Sequence, residues 1–166
     1  MSSQAASTEV FEPVRYAVTV PLPADRAFAL FTDGYNSWWP GHHIGTAEMA
    51  EAVLEPRVGG RYYERGVDGS ECEWGTVLAC DPPRRIVVAW QVTADGDAWA
   101  YDPDPSHASE FEVNFRERPD GQTTVELEHR NIGRHGRGAA GIHRGVGGAG
   151  GWPGALDNYA KVAAPA

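Results

Sequence analysis

The sequence predicts an α+β fold: a curved antiparallel sheet of about six to seven strands wrapped on one long C-terminal helix, with two short helices after the first strand. Three observations predict it. Apolar and polar residues alternate through most of the chain between residues 14 and 131, the period of half-buried strands. Most connections between those runs are short turns, which only antiparallel pairs allow. One stretch near the C-terminus repeats apolar residues at helical spacing and is long enough to cover the sheet's apolar face.

Val14, Tyr16, Val18 and Val20 alternate against Arg15, Ala17 and Thr19, and Pro21 and Pro23 stop that strand. PADRAFALF then reads as a helix: Pro23 suits its start, and Ala27, Phe28, Leu30 and Phe31 form its apolar face. Asp33-Gly34 ends it, and YNSWW makes one more helical turn before Pro40. Ala47 to Glu55 and RYYERG are strands separated by VGG. Asp68-Gly69 marks a hairpin into a strand at 71–80, where either face has apolar residues. DPPR turns the chain into 85–93, with Ile86, Val88, Trp90 and Val92 on one face. Residues 94–107 read as a long turn-rich loop. Phe111, Val113 and Phe115 point inward from 109–116, and Val125, Leu127 and His129 from 123–131.

The C-terminal helix is expected from Ile142, Val146, Ala149, Trp152 or Pro153, Leu156, Tyr159 and Val162 or Ala163, yet residues 133–154 hold ten of the chain's twenty glycines. Seven lie between Gly141 and Gly154, a propensity loss of about 5–7 kcal/mol. Either strong packing holds this helix, or it is firm only from about Trp152 onward.

The 166 residues fit one domain at 13–164 after a disordered tail at 1–12. The start, MSSQAASTEV, shows no secretory signal, and no apolar run approaches a bilayer span, so the expected location is the cytoplasm. The net charge is −9, with Lys161 the only lysine. Such a surface repels phosphate backbones and anionic lipids, which argues against nucleic-acid and membrane partners. Arginine in place of lysine, with abundant alanine and glycine, hints at a GC-rich bacterial genome. Cys72 and Cys80 sit on one strand about 26 Å apart, far beyond the reach of a disulfide.

The motifs FTDGYNSWWP, EPRVGGRYYE, DGSECEWGTVLACDPPRRIVVAW, TTVELEHRNIG and GWPGALDNYAKVA together resemble the family named for the activator of heat-shock protein 90 ATPase homologue. That family lies within the START-like or SRPBCC superfamily, and the likeness spans residues 14 to 163. The resemblance implies a helix-grip fold with a cavity between helix and sheet, which relatives use for apolar or amphipathic small molecules and lipids. It does not imply one function, because one fold carries many sites.

In NSWWPGHH, consecutive helical residues point about 100° apart, so Trp38 and Trp39 face different ways. One is expected to pack on the sheet and the other to close the cavity mouth, as an aromatic lid or as plain core. His42 and His43 lack a metal-ligand spacing, so no metal or other cofactor is expected. His129 has two readings: a buried histidine bonded to a backbone carbonyl, or a polar handle that orients a ligand or exchanges a proton with it. Trp74, Trp90, Phe111, Val113, Trp152 and Leu156 line the cavity if there is one and fill the core if there is not.

Three functions follow as expectations. The first is binding of a small apolar or aromatic molecule, with no catalytic residue assigned, by a monomer or a homodimer. The second is a cyclase or dehydratase with His129 as acid or base. The third, ranked last, is a co-chaperone of an Hsp90-type ATPase, since the name-giving proteins carry a further N-terminal domain for which 166 residues leave no room.

Overall fold

The computed structural model describes residues 10–165. The expected tail at 1–12 lies mostly outside them. Among the described residues nine strands and four α-helices run in the order β1 (Val14–Val20), α1 (Ala24–Phe31), α2 (Tyr35–Trp38), β2 (Met49–Leu54), β3 (Arg61–Gly66), β4 (Glu71–Asp81), β5 (Arg85–Trp90), β6 (Val92–Asp95), β7 (Ala98–Tyr101), β8 (Ser109–Glu117), β9 (Thr123–Arg130), α3 (Ala139–Gly147) and α4 (Trp152–Ala163). Seven strands form one antiparallel sheet in the order β1-β9-β8-β5-β4-β3-β2. Register shifts interrupt the β2–β3, β3–β4 and β4–β5 pairings, and such bulges bend and twist a sheet. The result is the helix-grip arrangement.

A bulge at Trp74, where Tyr62 faces Gly75 and Tyr63 faces Glu73, resolves the ambiguous face of β4. It resets the alternation, so Trp74 and Val77, three residues apart, are both buried while Leu78 is half exposed. Gly75 on the same strand meets Ala89 so closely that a Cβ would lie 1.8 Å from its carbonyl oxygen.

The loop expectation fails. Residues 94–107 are not a structureless loop: β6 and β7 pair as a separate hairpin through Gly96 and Asp97, with Gly96 at φ +63°. The strand expected over 85–93 stops at Trp90, and the chain peels away at Gln91 into this hairpin. Asp95-Gly96 was the available signal, followed by the alternating AWAY.

The gripping element is broken. A 3-10 stretch, Ile132–Gly138, leads into α3, and residues 148–151 separate α3 from α4. The glycines before Trp152 have a packing role. Gly138, Gly141 and Gly145 face the hairpin: Cβ atoms there would lie 2.3 Å from Thr93 Oγ1, 2.9 Å from Ala94 Cβ and 2.4 Å from the Trp99 ring. Close helix–hairpin approach is what offsets their poor helix propensity.

Under α4 the interior is solid. Phe31, Tyr35, Trp38 and Tyr159 form mutual ring contacts with centroids 4.6–6.0 Å apart. Tyr159 donates to Ala27 O at 2.7 Å, Tyr16 to Asp157 Oδ1 at 2.7 Å, and Tyr35 and Tyr62 share a buried hydroxyl contact of 2.6 Å. No helix among the described residues is long and apolar enough to cross a membrane.

Candidate functional site

The cavity lies beside the helix break, not beneath the body of α4. It encloses about 600 Å³ between the β6–β7 hairpin, α3, the start of α4 and the loop after α2. That volume falls within the range of small-molecule sites, about 300–1,000 Å³. Five indoles wall it: Trp39, Trp74, Trp90, Trp99 and Trp152. Gly145, Gly148, Gly150 and Gly151 also line it, and their missing side chains leave the room. Gly151 is also forced by close approach, since a Cβ there would lie 2.2 Å from Val146 O. His42, His43, Asp97 and Arg144 supply the polar part of the lining.

Each wall residue has a local cause. Trp39 ends α2, where its extended backbone turns it away from the core that takes Trp38. Its indole donates to His42 O at 2.8 Å and so shapes the following loop. Gly41 in that loop has φ +97°, a conformation suited to glycine. Trp74 donates to Glu64 Oε1 at 2.9 Å. Trp152 opens α4, donates to His129 Nδ1 at 3.0 Å, and packs on Phe111 at 4.7 Å between centroids.

Four of the nine residues expected at the site are therefore on the cavity wall: Trp39, Trp74, Trp90 and Trp152. Trp38, Phe111, Val113, His129 and Leu156 are buried behind it and do not line it. The space they were expected to border is occupied by the aromatic cluster under α4. Sequence reasoning did not single out Trp99, Asp97 and Arg144, because two of them lie in the unrecognised hairpin and the third lies between the apolar positions Ile142 and Val146 that marked the helix face. It also passed over Glu64, although a carboxylate two residues after Tyr62 shares its inward parity.

His129 is a correction in kind. It is fully buried, bonds to no backbone carbonyl, and sits in a chain of side chains. An indole nitrogen can only donate, so His129 Nδ1 accepts from Trp152 and its proton is on Nε2. Nε2 then donates to Ser109 Oγ at 2.8 Å, and Ser109 donates onward to His135 Nε2 at 2.7 Å. His135 Nδ1, which then carries the proton, has no partner among the described residues. Burial, with His135 and His143 adding to it, pushes His129 down to about 3, so it is neutral and shielded from the cavity. That placement removes it as the acid or base of a cyclase. Its chemistry is to pin Trp152, through which the cavity wall is fixed.

Among the described residues Glu64 is the one carboxylate nearly fully buried, at 2% exposure, and it lies behind the cavity. Oε1 accepts from the backbone N–H of Ile44 at 2.7 Å and of Gly45 at 3.0 Å, besides Trp74. Oε2 lies 3.3 Å from His43 Nδ1. Among the described residues no cluster of three or more His, Cys, Asp or Glu side chains is arranged to hold a metal ion.

Comparison with known proteins agrees with this architecture. A family model described as activator of Hsp90 ATPase homolog 1-like protein matches residues 21–164. A solved anthrahydroquino-gamma-pyrone synthase, Txn09, in complex with a compound designated SUM, is 40% identical, with 92% of this chain and 97% of that chain covered and a TM-score of 0.64. CalC, a self-sacrificing resistance protein from Micromonospora echinospora, is 28% identical over 94% of this chain and 95% of its own, with a TM-score of 0.65. The Aha1 dimer from Colwellia psychrerythraea, 13% identical over 92% and 96%, shares the fold with a TM-score of 0.58. No curated protein matches.

Proposed function

The chain belongs to the family of activator of Hsp90 ATPase homolog 1-like proteins, and from that premise we propose that it binds a planar, hydroxylated polycyclic aromatic molecule of the anthrahydroquinone class in the cavity beside the α3–α4 break. One observation carries this reading: five indoles converge on a space that glycines keep open. Flat aromatic rings offer large contact area to flat aromatic ligands, in offset-stacked or edge-to-face arrangements. Arg144 and the two histidines offer polar partners for the quinone or phenol oxygens at the ring edge. The 40% identity with an anthrahydroquino-gamma-pyrone synthase supports the same ligand class.

That identity also favours a second reading, in which the cavity closes a ring on its ligand. Binding is common to both readings and is tested first. Titration with a hydroxyanthraquinone should quench tryptophan fluorescence, because every wall indole lies against the ligand. Gly150→Leu places a side chain in open space at the cavity and should weaken binding about tenfold or more without altering urea stability. Saturating concentrations that leave fluorescence and thermal stability unchanged would overturn the reading.

A further inference from the structure

The loop after α2 brings a histidine to the cavity with a buried carboxylate behind it. Glu64 Oε1 is saturated by three donors, whereas Oε2 has His43 Nδ1 as its one polar partner among the described residues. A carboxylate oxygen accepts, so Nδ1, 3.3 Å from Oε2, is the ring nitrogen placed to carry the proton. With the proton there, Nε2 keeps its lone pair, and His43 lines the cavity. Gly45 is part of the same construction, since a Cβ there would lie 2.8 Å from Glu64 Oε2. The same carboxylate holds the Trp74 indole and the backbone of residues 44 and 45, so base, wall and loop share one anchor.

We propose that His43 is a proton acceptor for a phenolic or enolic hydroxyl of the bound aromatic ligand, with Glu64 as the positioning residue that sets its tautomer. The proposal rests on the cavity reading above. In the step, the ligand O–H bond breaks and an N–H bond forms at His43 Nε2. The electron pair stays on the ligand oxygen as a phenolate or enolate, and the imidazolium keeps its Nδ1–H toward Glu64. Such an oxyanion is the nucleophile that a ring closure through oxygen needs. The other titratable or charged groups around this pair are His42 on the same loop, Cys72 on β4, Asp97 in the β6–β7 hairpin and Arg144 on α3. Arg144 adds a positive charge that favours the oxyanion.

The test uses 1,2-dihydroxyanthraquinone, whose absorbance moves to longer wavelength when its phenol ionises. Tryptophan quenching reads binding, and the visible spectrum of the bound probe reads ionisation. The wild-type protein should lower the probe's ionisation midpoint by about one pH unit, a tenfold gain in the phenolate ratio. His43→Gln should abolish that shift in the saturated complex, with tryptophan quenching showing that the probe is bound. Glu64→Gln should act likewise, because its amide N–H would donate to His43 Nδ1 and move the ring proton to Nε2. A His43→Gln protein that binds the probe and keeps the full shift overturns the proposal, and this variant alone decides if Glu64→Gln does not fold. Absence of quenching in the wild type overturns the cavity reading, and the proposal with it, so the two failures are distinct.

Discussion

Acidification from pH 8 to pH 5 should destabilise the fold by about 4 kcal/mol, and two buried histidines account for it. His129 is pushed down to about 3, chiefly by burial and further by His135 and His143. His135 is pushed down to about 4, again chiefly by burial, against a raising influence from Asp102. An unfolded histidine titrates near 6.5. Above that value both states are neutral and nothing is lost. Below it the unfolded chain takes up protons that the folded chain refuses, so stability falls until the folded values are reached. At pH 5 each group is about 1.5 units into this window, which at 1.36 kcal/mol per unit costs about 2 kcal/mol apiece. Domains of this size hold only about 5–15 kcal/mol in total.

Two other groups frame the window. His107 is raised by its hydrogen bond to Asp102 and by Asp104, so its contribution has the opposite sign: complete below its unfolded value and lost as pH rises through the folded one. It is exposed and screened, so the opposition is small. Glu112 is held at about 2, chiefly by Arg85, and what it contributes is lost only as pH falls below about 4.5. The interval from pH 8 to pH 5 therefore isolates the buried pair. Urea unfolding followed by far-UV circular dichroism at steps of one pH unit measures the slope. The double variant His129→Gln, His135→Gln keeps polar side chains that do not titrate, and it should remove most of the dependence. A flat profile in the wild type, or the same fall in both proteins, refutes the reasoning.

Three further outcomes follow from the geometry. Trp152→Phe leaves His129 Nδ1 buried without its donor and should cost about 1–3 kcal/mol in urea unfolding, beyond what Trp99→Phe costs at the more exposed hairpin. Gly145→Ala drives a methyl into the Trp99 ring and should cost about 1–3 kcal/mol with a change in near-UV circular dichroism, whereas Gly150→Ala, which meets nothing within 4 Å, should be nearly neutral. In hydrogen exchange, α3 should open more readily than α4, whose Asp157 and Tyr159 side chains are bonded to β1 and α1, and a hydroxyanthraquinone should slow α3 selectively. Equal protection of the two helices would count against α3 as a yielding wall.

The strands of the main sheet were legible because alternation is a local property. A strand with one face on a core buries every second residue, mostly apolar ones, and β1, β8 and β9 do so along most of their length. The order sheet, short helices, sheet, final helix followed from loop lengths. The β6–β7 hairpin carried a readable Asp-Gly turn, yet the surrounding glycines, aspartates and prolines have a loop's composition, and its strands are only four residues each. In β4 parity failed because bulges at Trp74 and between Val77 and Ala79 each shift the later side chains to the other face.

The amino-acid sequence alone determined the fold class, the family and the supply of indoles. Only the tertiary structure decided that four of those indoles, joined by Trp99, surround open space while Trp38 is packed solid. It also decided that the glycines serve close approach and that Glu64 is buried behind His43. The reason is physical. Periodicity records how each residue meets one face of its own element. A cavity, a close backbone approach and a buried charge depend instead on partners far along the chain, which no local pattern encodes.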